Sequence, residues 1–278
     1  MSRRRKPKRP AADPGDQAAH LRELMVAPAA DEPLPLIAVV GGKGGVGAST
    51  LAWSLACALT EAGVRPVAVD AHPVQADLAT IAGVAATDNA DLLALLDETA
   101  HAEDLVTITP EGVRLLPGAR GSEPRTPLDG AAADRLVAGL ARLAGKADLA
   151  IVDTGPGLAP WSQRVCRRAD LVLLVTTPDR LAVLDAYATA KRLHAQGQHA
   201  VQLVANRCRD AQHAAGVHRC VALACQQHLQ AALALACSVM EGEATGRATP
   251  SGVAELAQGI RGWTAARATN RLALRGAA

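Results

Sequence analysis

The chain has 278 residues, 49% of them apolar and 20% charged, a balance that supports one main globular core with appendages. Aromatic residues make up 1% and Phe is missing, so the core must be built from Leu, Val, Ile and Ala, and nucleic-acid binding by base stacking lacks its platforms. The net charge of +2 misleads, because Arg3, Arg4, Arg5, Lys6, Lys8 and Arg9 supply six of the 29 basic residues; the rest is outweighed by 27 acidic ones and makes a poor DNA platform.

Residues 1–33 read as a basic tail rich in Pro and Ala, interrupted by DQAAHLRELM. There Asp16 can cap a short helix over 16–26, and Ala18, Leu21, Leu24 and Met25 fall on one apolar stripe. A lone helix that short is marginal in water, so it needs a surface, on its own domain or on another protein. From residue 34 the pattern alternates: LPLIAVV (34–40) has strand length, a Gly-rich loop follows, and STLAWSLACALTEAG is helical up to a glycine stop. RPVAVD (65–70) is the next strand, DLLALLDE (91–98) a helix, VTIT and GVRLLPG short strands, and 131–145 an amphipathic helix. ADLAIVDT (147–154) and ADLVLLVTT (169–177) are buried strands, and RLAVLDAYATAKRLHAQG is a helix leading to VQLVANR (201–207). Beyond lie a helix near 211–229, a strand near 233–239 and a last helix near 251–267.

Apolar strands separated by helices imply an α/β fold, a mostly parallel sheet covered on both faces. Residues 34–268 form one α/β domain on this reading, and 269–278 a C-terminal tail. Ligands in such sheets sit at the carboxyl ends of the strands, where the Gly-rich loop, AVDAHP, VDTGPG and VANR all fall. No apolar run of about 18 residues exists and no apolar segment follows the basic start, so neither a membrane span nor a secretory signal is expected, and the expected place is the cytoplasm. The six cysteines form no C-x-x-C pair and are expected as buried free thiols. His213, His218, Cys220, Cys225 and His228 crowd one stretch, but on a helix the two cysteines point to different faces, against a zinc site.

The loop GGKGGVGAST (41–50) has five glycines within seven residues between a strand and a helix, the arrangement in which backbone N–H groups converge on phosphate oxygens. Against the pattern G-x-x-x-x-G-K-[ST], Gly42 to Gly47 fit and Ser49 fits, but the lysine position holds Ala48. Ser49 is then the magnesium ligand and Thr50 the contact to an inner phosphate. The run Gly42, Lys43, Gly44, Gly45, Val46, Gly47, Ala48 is the candidate cradle.

The early lysine in K-G-G-x-G resembles the deviant Walker A loop of the MinD/ParA family of dimerising ATPases. The resemblance implies a MinD-like P-loop NTPase fold of the SIMIBI class, ATP and Mg²⁺ as cofactors, and an ATP-dependent homodimer in which Lys43 crosses to the partner's nucleotide. VAVDAHP resembles the strand ending in D-x-D, with Asp70 at its first aspartate, and VDTGPG the Walker B and switch segment, with Asp153 near the magnesium and its water. VANR places Asn206, followed by Arg207, where the family reads adenine. DTGPGLAPW, VTTPDRLAVLDAYATAKRL and GVRLLPG resemble the flagellar-number branch of that family, FlhG, also called FleN or YlxH. DQAAHLR resembles that branch's activator helix, which implies that Asp16, Gln17, Ala18, Leu21 and Arg22 contact a signal-recognition-type GTPase like FlhF.

Two departures bear on chemistry. Ala48 removes the ammonium that bridges outer phosphates, as in some CpaE/TadZ-like pilus-localisation relatives, and His72 stands where the family's D-x-D has the water-positioning aspartate. A charge-assisted contact is worth about 1.5 to 3 kcal/mol, so binding can survive its loss while hydrolysis is expected to be very slow or absent. An imidazole base at His72 would make the alternative, an active ATPase membrane switch; a pilus scaffold is a further alternative. The last helix carries Val253, Leu256, Ile260 and Trp263 on one face with Arg261, Arg267, Arg271 and Arg275 nearby, compatible with peripheral contact at the inner face of the cell membrane but more simply with packing on the domain.

Overall fold

The structure, a computed structural model, describes residues 33–72, 77–84, 91–119, 127–243 and 249–276, with side chains to residue 269. Asp16, Gln17, Ala18, Leu21 and Arg22 lie outside the described residues. Among the described residues eight strands form one sheet: β1 (Leu36–Gly41), β2 (Pro66–Asp70), β3 (Thr107–Ile108), β4 (Arg114–Leu116), β5 (Leu149–Pro156), β6 (Leu171–Thr176), β7 (Val201–Cys208) and β8 (Ala234–Met240). Their order is β3-β4-β2-β5-β1-β6-β7-β8, and every pairing is parallel except β3 with β4.

Among the described residues the connections carry eight helices, α1 (Ala48–Glu61), α2 (Leu78–Ile81), α3 (Leu92–Leu96), α4 (Ala102–Leu105), α5 (Gly130–Ala141), α6 (Pro160–Arg168), α7 (Arg180–Ala195) and α8 (Ala211–Leu229), and a ninth, α9 (Ser251–Gly276), follows β8. They divide between the two faces, and the two-residue period of the strands shows how. Ala38, Val40, Val67, Val69, Ala150 and Val152 point to one core with α3, α5, α6, α7 and α8. Ile37, Val39, Ala68, Ile151, Leu173 and Val175 point to the other, shared with α1, α2 and α9. Both faces being buried explains why the central strands read as continuous apolar runs rather than alternating ones.

Helix starts follow local chemistry. Asp91, Asp129, Asp179 and Asp210 each accept backbone N–H bonds at the N-terminus of their helix. At α6, Pro160 occupies the first turn, where a missing N–H costs nothing. The last helix runs past residue 268 to Gly276, so 269–276 continue α9 instead of forming a separate tail; no Gly or Pro interrupts that stretch until Gly276. Val253, Ala257 and Ile260 of α9 are buried in the core of α1, with Leu256 and Trp263 packed against it. Arg267 pairs with Asp170 at 2.9 Å and lies over the Trp263 ring. The apolar face read from the sequence is thus spent on the domain through Trp263. Among the described residues no helix is long and apolar enough to cross a membrane.

Candidate functional site

The carboxyl ends of β1, β2 and β5 bring three sequence-distant segments together, because these strands are neighbours in the sheet. The loop after β1 is fastened by its neighbours. Gly42 N–H donates to Val175 O at 3.1 Å and Gly157 N–H to Gly41 O at 2.8 Å. A side chain at Gly42 would stand 2.8 Å from the Ala186 nitrogen, so α7 backs directly onto the loop. Gly45 and Gly47 have φ of 78° and 90°, the left-handed region that glycine tolerates. Gly47 precedes α1 without a side-chain cap, and no acidic residue lies in the first turn, so the leading N–H groups of α1 face the loop as an anion site. Ala48 opens α1 and is buried, 9% exposed.

A cavity of about 270 Å³ lies over this loop, lined by Lys43 to Thr50, His72, Asp77, Ile81, Gly155, Pro156 and Arg207. Among the described residues three cationic or imidazole side chains, Lys43, His72 and Arg207, therefore border it. Lys43 Nζ is 3.1 Å from Asp179 Oδ1, an exposed ion pair within the same chain. Asp179 sits below the usual carboxylate range, first because the Ala182 N–H donates to it and then because of Lys43. His72 lies against the switch segment: a side chain on Gly155, whose φ is 72°, would overlap the imidazole. Arg207 is exposed and has φ 56°.

The acidic side of the site is buried. Asp70 and Asp153 are register partners at the ends of β2 and β5. Burial pushes the Asp70 carboxyl up to about 7, opposed by the Leu78 N–H at 2.9 Å, reinforced by Asp153, and opposed again by the His72 N–H. Burial also raises Asp153, opposed by hydrogen bonds from the Ser49 hydroxyl and from the Gly155 N–H at 3.0 Å, and by His72. Two buried carboxylates that are costly to ionise, with a hydroxyl joined to one of them, suit a hard divalent cation, which takes oxygen ligands. The residues present therefore fit a magnesium-bound phosphate: N–H groups and glycines for the anion, Ser49, Asp70 and Asp153 for the cation.

Asn206 has a different place from Arg207. It is 5% exposed; its amide donates to Val46 O at 2.8 Å and its oxygen accepts from Arg207 N–H at 2.9 Å. A side chain on Gly47 would collide with that amide. In this geometry Asn206 latches β7 to the loop from below, while Arg207 borders the cavity. Reading the sequence missed Asp179, Asp77, Ile81 and Pro156; of these only Asp179 carried a signal, as a helix-capping aspartate before an apolar run. In the His/Cys stretch, Cys220 is exposed, Cys225 is buried and His218 Nε2 contacts Leu233 O at 2.7 Å, so these groups face different surroundings.

Comparison with known proteins agrees with this construction. The antiactivator FleN of Pseudomonas aeruginosa is 31% identical over 162 residues, covering 58% of this chain, and the flagellum site-determining protein YlxH of Helicobacter pylori is 33% identical over 170 residues, covering 61% of it. The chain spans 57% of the length of each of these relatives. Among solved structures, MinD of Aquifex aeolicus in its complex with MinC has a TM-score of 0.65 at 20% identity, covering 82% of this chain and 96% of that one. MinD of Pyrococcus horikoshii, complexed with Mg-ADP, has a TM-score of 0.64 at 21% identity, covering 81% and 95%. At such identities the likeness shows the fold. The family model of ParA, described as the NUBPL iron-transfer P-loop NTPase, matches residues 34–222, and the chain belongs to that family.

Proposed function

We propose that this chain is a nucleotide-binding regulator of flagellar number or placement, similar in role to FleN and YlxH, which works by binding ATP with Mg²⁺ and hydrolyses it weakly or not at all. The observation that carries the nucleotide part is the loop itself: a cradle complete in its glycines, its uncapped helix and its Ser49–Asp153 contact, with a buried Ala48 at the lysine position. Magnesium, when bound, would supply positive charge beside the phosphates. Ser49, Asp70 and Asp153 would hold it, partly through water, and Gly42 to Thr50 would bind and orient the phosphates. Lys43 would leave Asp179 to help close an ATP-dependent homodimer. The flagellar part is supported by the similarity to FleN and YlxH and by the 16–22 segment, whose Gln17 and Leu21 would contact an FlhF-like GTPase and stimulate it. That activator role does not require turnover.

The test is binding of a fluorescent ATP analogue and release of phosphate, measured on the wild type and Ala48→Lys. Magnesium-dependent binding without turnover is expected, with affinity tightened roughly ten- to a hundredfold in Ala48→Lys. Wild-type turnover comparable to MinD-type ATPases, abolished by Ser49→Ala, would refute the loss of hydrolysis. GTPase stimulation left unchanged by Gln17→Ala would remove the activator role. A second reading, an active ATPase switch, is favoured by one observation: His72 borders the cavity beside Gly155, where a base could act. Turnover lost in His72→Ala would support it.

A further inference from the structure

At the amino ends of β7 and β8, the edge of the sheet opposite the Gly-rich loop, α7 ends and the chain turns through Gly197, φ 79°, into β7. The turn is bonded tightly. Gly197 N–H donates to His194 O at 2.9 Å and Gln198 N–H to Leu193 O at 3.0 Å. The buried Gln198 carboxamide donates to Cys166 O at 2.7 Å and Ala169 O at 2.8 Å, and accepts from Ala200 N–H at 2.9 Å. With Gln198 fixed on both sides, its neighbour His199 is held against His194 of the last turn of α7. The two Nδ1 atoms are 3.2 Å apart, and the rings meet edge to face at 4.8 Å and 74°. Both imidazoles border a half-open cavity of about 210 Å³ that also includes Val201, Cys225 and Leu233.

We propose that His194 and His199 bind one divalent transition-metal ion of the zinc or copper class through their Nδ1 atoms. A tetrahedral ion with metal–nitrogen bonds of about 2.0–2.1 Å needs its two nitrogens about 3.3 Å apart, which the pair already provides. Each ring would then carry its proton on Nε2. The site adds positive charge at the C-terminal end of α7, where the helix carbonyls favour it. Imidazole donors select zinc, copper or nickel over magnesium, which separates this site from the oxygen-donor site at the other end of the sheet. Among the described residues no group of three or more His, Cys, Asp or Glu is placed to hold a metal ion, so the protein would supply two imidazoles here and water would complete the coordination.

The test uses the full chain, purified without a polyhistidine tag, stripped with a chelator and titrated calorimetrically with zinc chloride near neutral pH in excess magnesium, which fills oxygen-donor sites. One zinc per chain is expected, weakened about tenfold or more in His194→Ala and in His199→Ala, abolished in the double variant and unchanged in His213→Ala. Nitrogen-15 imidazole spectra should show zinc shifting the Nδ1 resonances of these two histidines. The variants alter partly or fully exposed side chains, and circular dichroism checks that they fold; His199→Gln serves as a second variant if one does not. No zinc binding by the wild type, or binding that persists in the double variant, would overturn the proposal and leave a pair of hydrogen-bonded imidazoles.

Discussion

Substituting Asp70 by Asn should stabilise the ligand-free protein, and by an amount that depends on pH. Asp70 is fully buried, and its carboxyl is raised from 3.8 to about 7. Placing it in the fold therefore costs on the order of 4 kcal/mol at about pH 8, where it is ionised, and about 2 kcal/mol at about pH 5, where it must first take up a proton. Because the folded value is the higher one, the cost is absent below the unfolded value, grows as pH rises through the window from 3.8 to about 7, and then levels off. Asn removes that cost and keeps an oxygen for the Leu78 N–H at 2.9 Å, losing the longer bond from His72 N–H at 3.4 Å. The lost bond subtracts about 1 kcal/mol at either pH, so the variant gains about 3 kcal/mol at pH 8 and about 1 kcal/mol at pH 5. Urea unfolding followed by circular dichroism, without magnesium or nucleotide, measures both. A variant less stable than the wild type at pH 8, or an advantage equal at the two pH values, would refute the burial argument. With magnesium nucleotide present the advantage should shrink or invert, since the same buried charge then has a cation to hold.

Three further outcomes follow from contacts around the loop. Asn206→Ala leaves the Val46 carbonyl and the Arg207 N–H without their bonds of 2.8 and 2.9 Å, and should lower stability by about 2 to 3 kcal/mol in urea unfolding. Gly155→Ala should cost about 1 to 2 kcal/mol for its φ of 72° plus the overlap with His72; adding His72→Ala should return the second part, a coupling of about 1 kcal/mol in a double-mutant cycle, and strict additivity would mean the overlap is absent. Asp179→Ala should lower the urea midpoint more than Lys43→Ala, because Asp179 also caps α7 through the Leu181 and Ala182 N–H groups at 3.1 and 3.0 Å, whereas Lys43 contributes only an exposed pair.

Much of this architecture was legible because period and punctuation coincide. The runs at 34–40, 65–70, 147–154, 169–177 and 201–207 are mostly apolar, the first is followed by Gly41 and the others end in Asp70, Thr154, Thr177 and Arg207, so strand and carboxyl end could be read together. The short helices α2 and α4, four residues each, are too brief to show a helical period, and α6 was hidden by polar residues although Pro160 marked its start. The antiparallel β3–β4 pairing was not legible either, since pairing direction depends on how the sheet is assembled. At the site, the residue types were readable but their relations were not. Ser49 with Asp153, Lys43 with Asp179 and His72 with Gly155 are each separated by many residues and joined only by strand order. Asn206 shows the same limit: the motif marks its position, and only the fold shows that its amide is committed to Val46.

The fastening of the Gly-rich loop at Val175, Gly157, Ala186 and Asn206 has a kinetic side. Its backbone freedom is lost when the domain folds, so a phosphate arriving later immobilises little that is not already still. Capture should therefore proceed as a single concentration-dependent phase, without a slower step for loop ordering. None of these fastenings runs through the side chain at position 48, which packs in the core shared with α1. Its side chain could change without the cradle collapsing, and an alanine there alters how long a nucleotide stays more than how it enters.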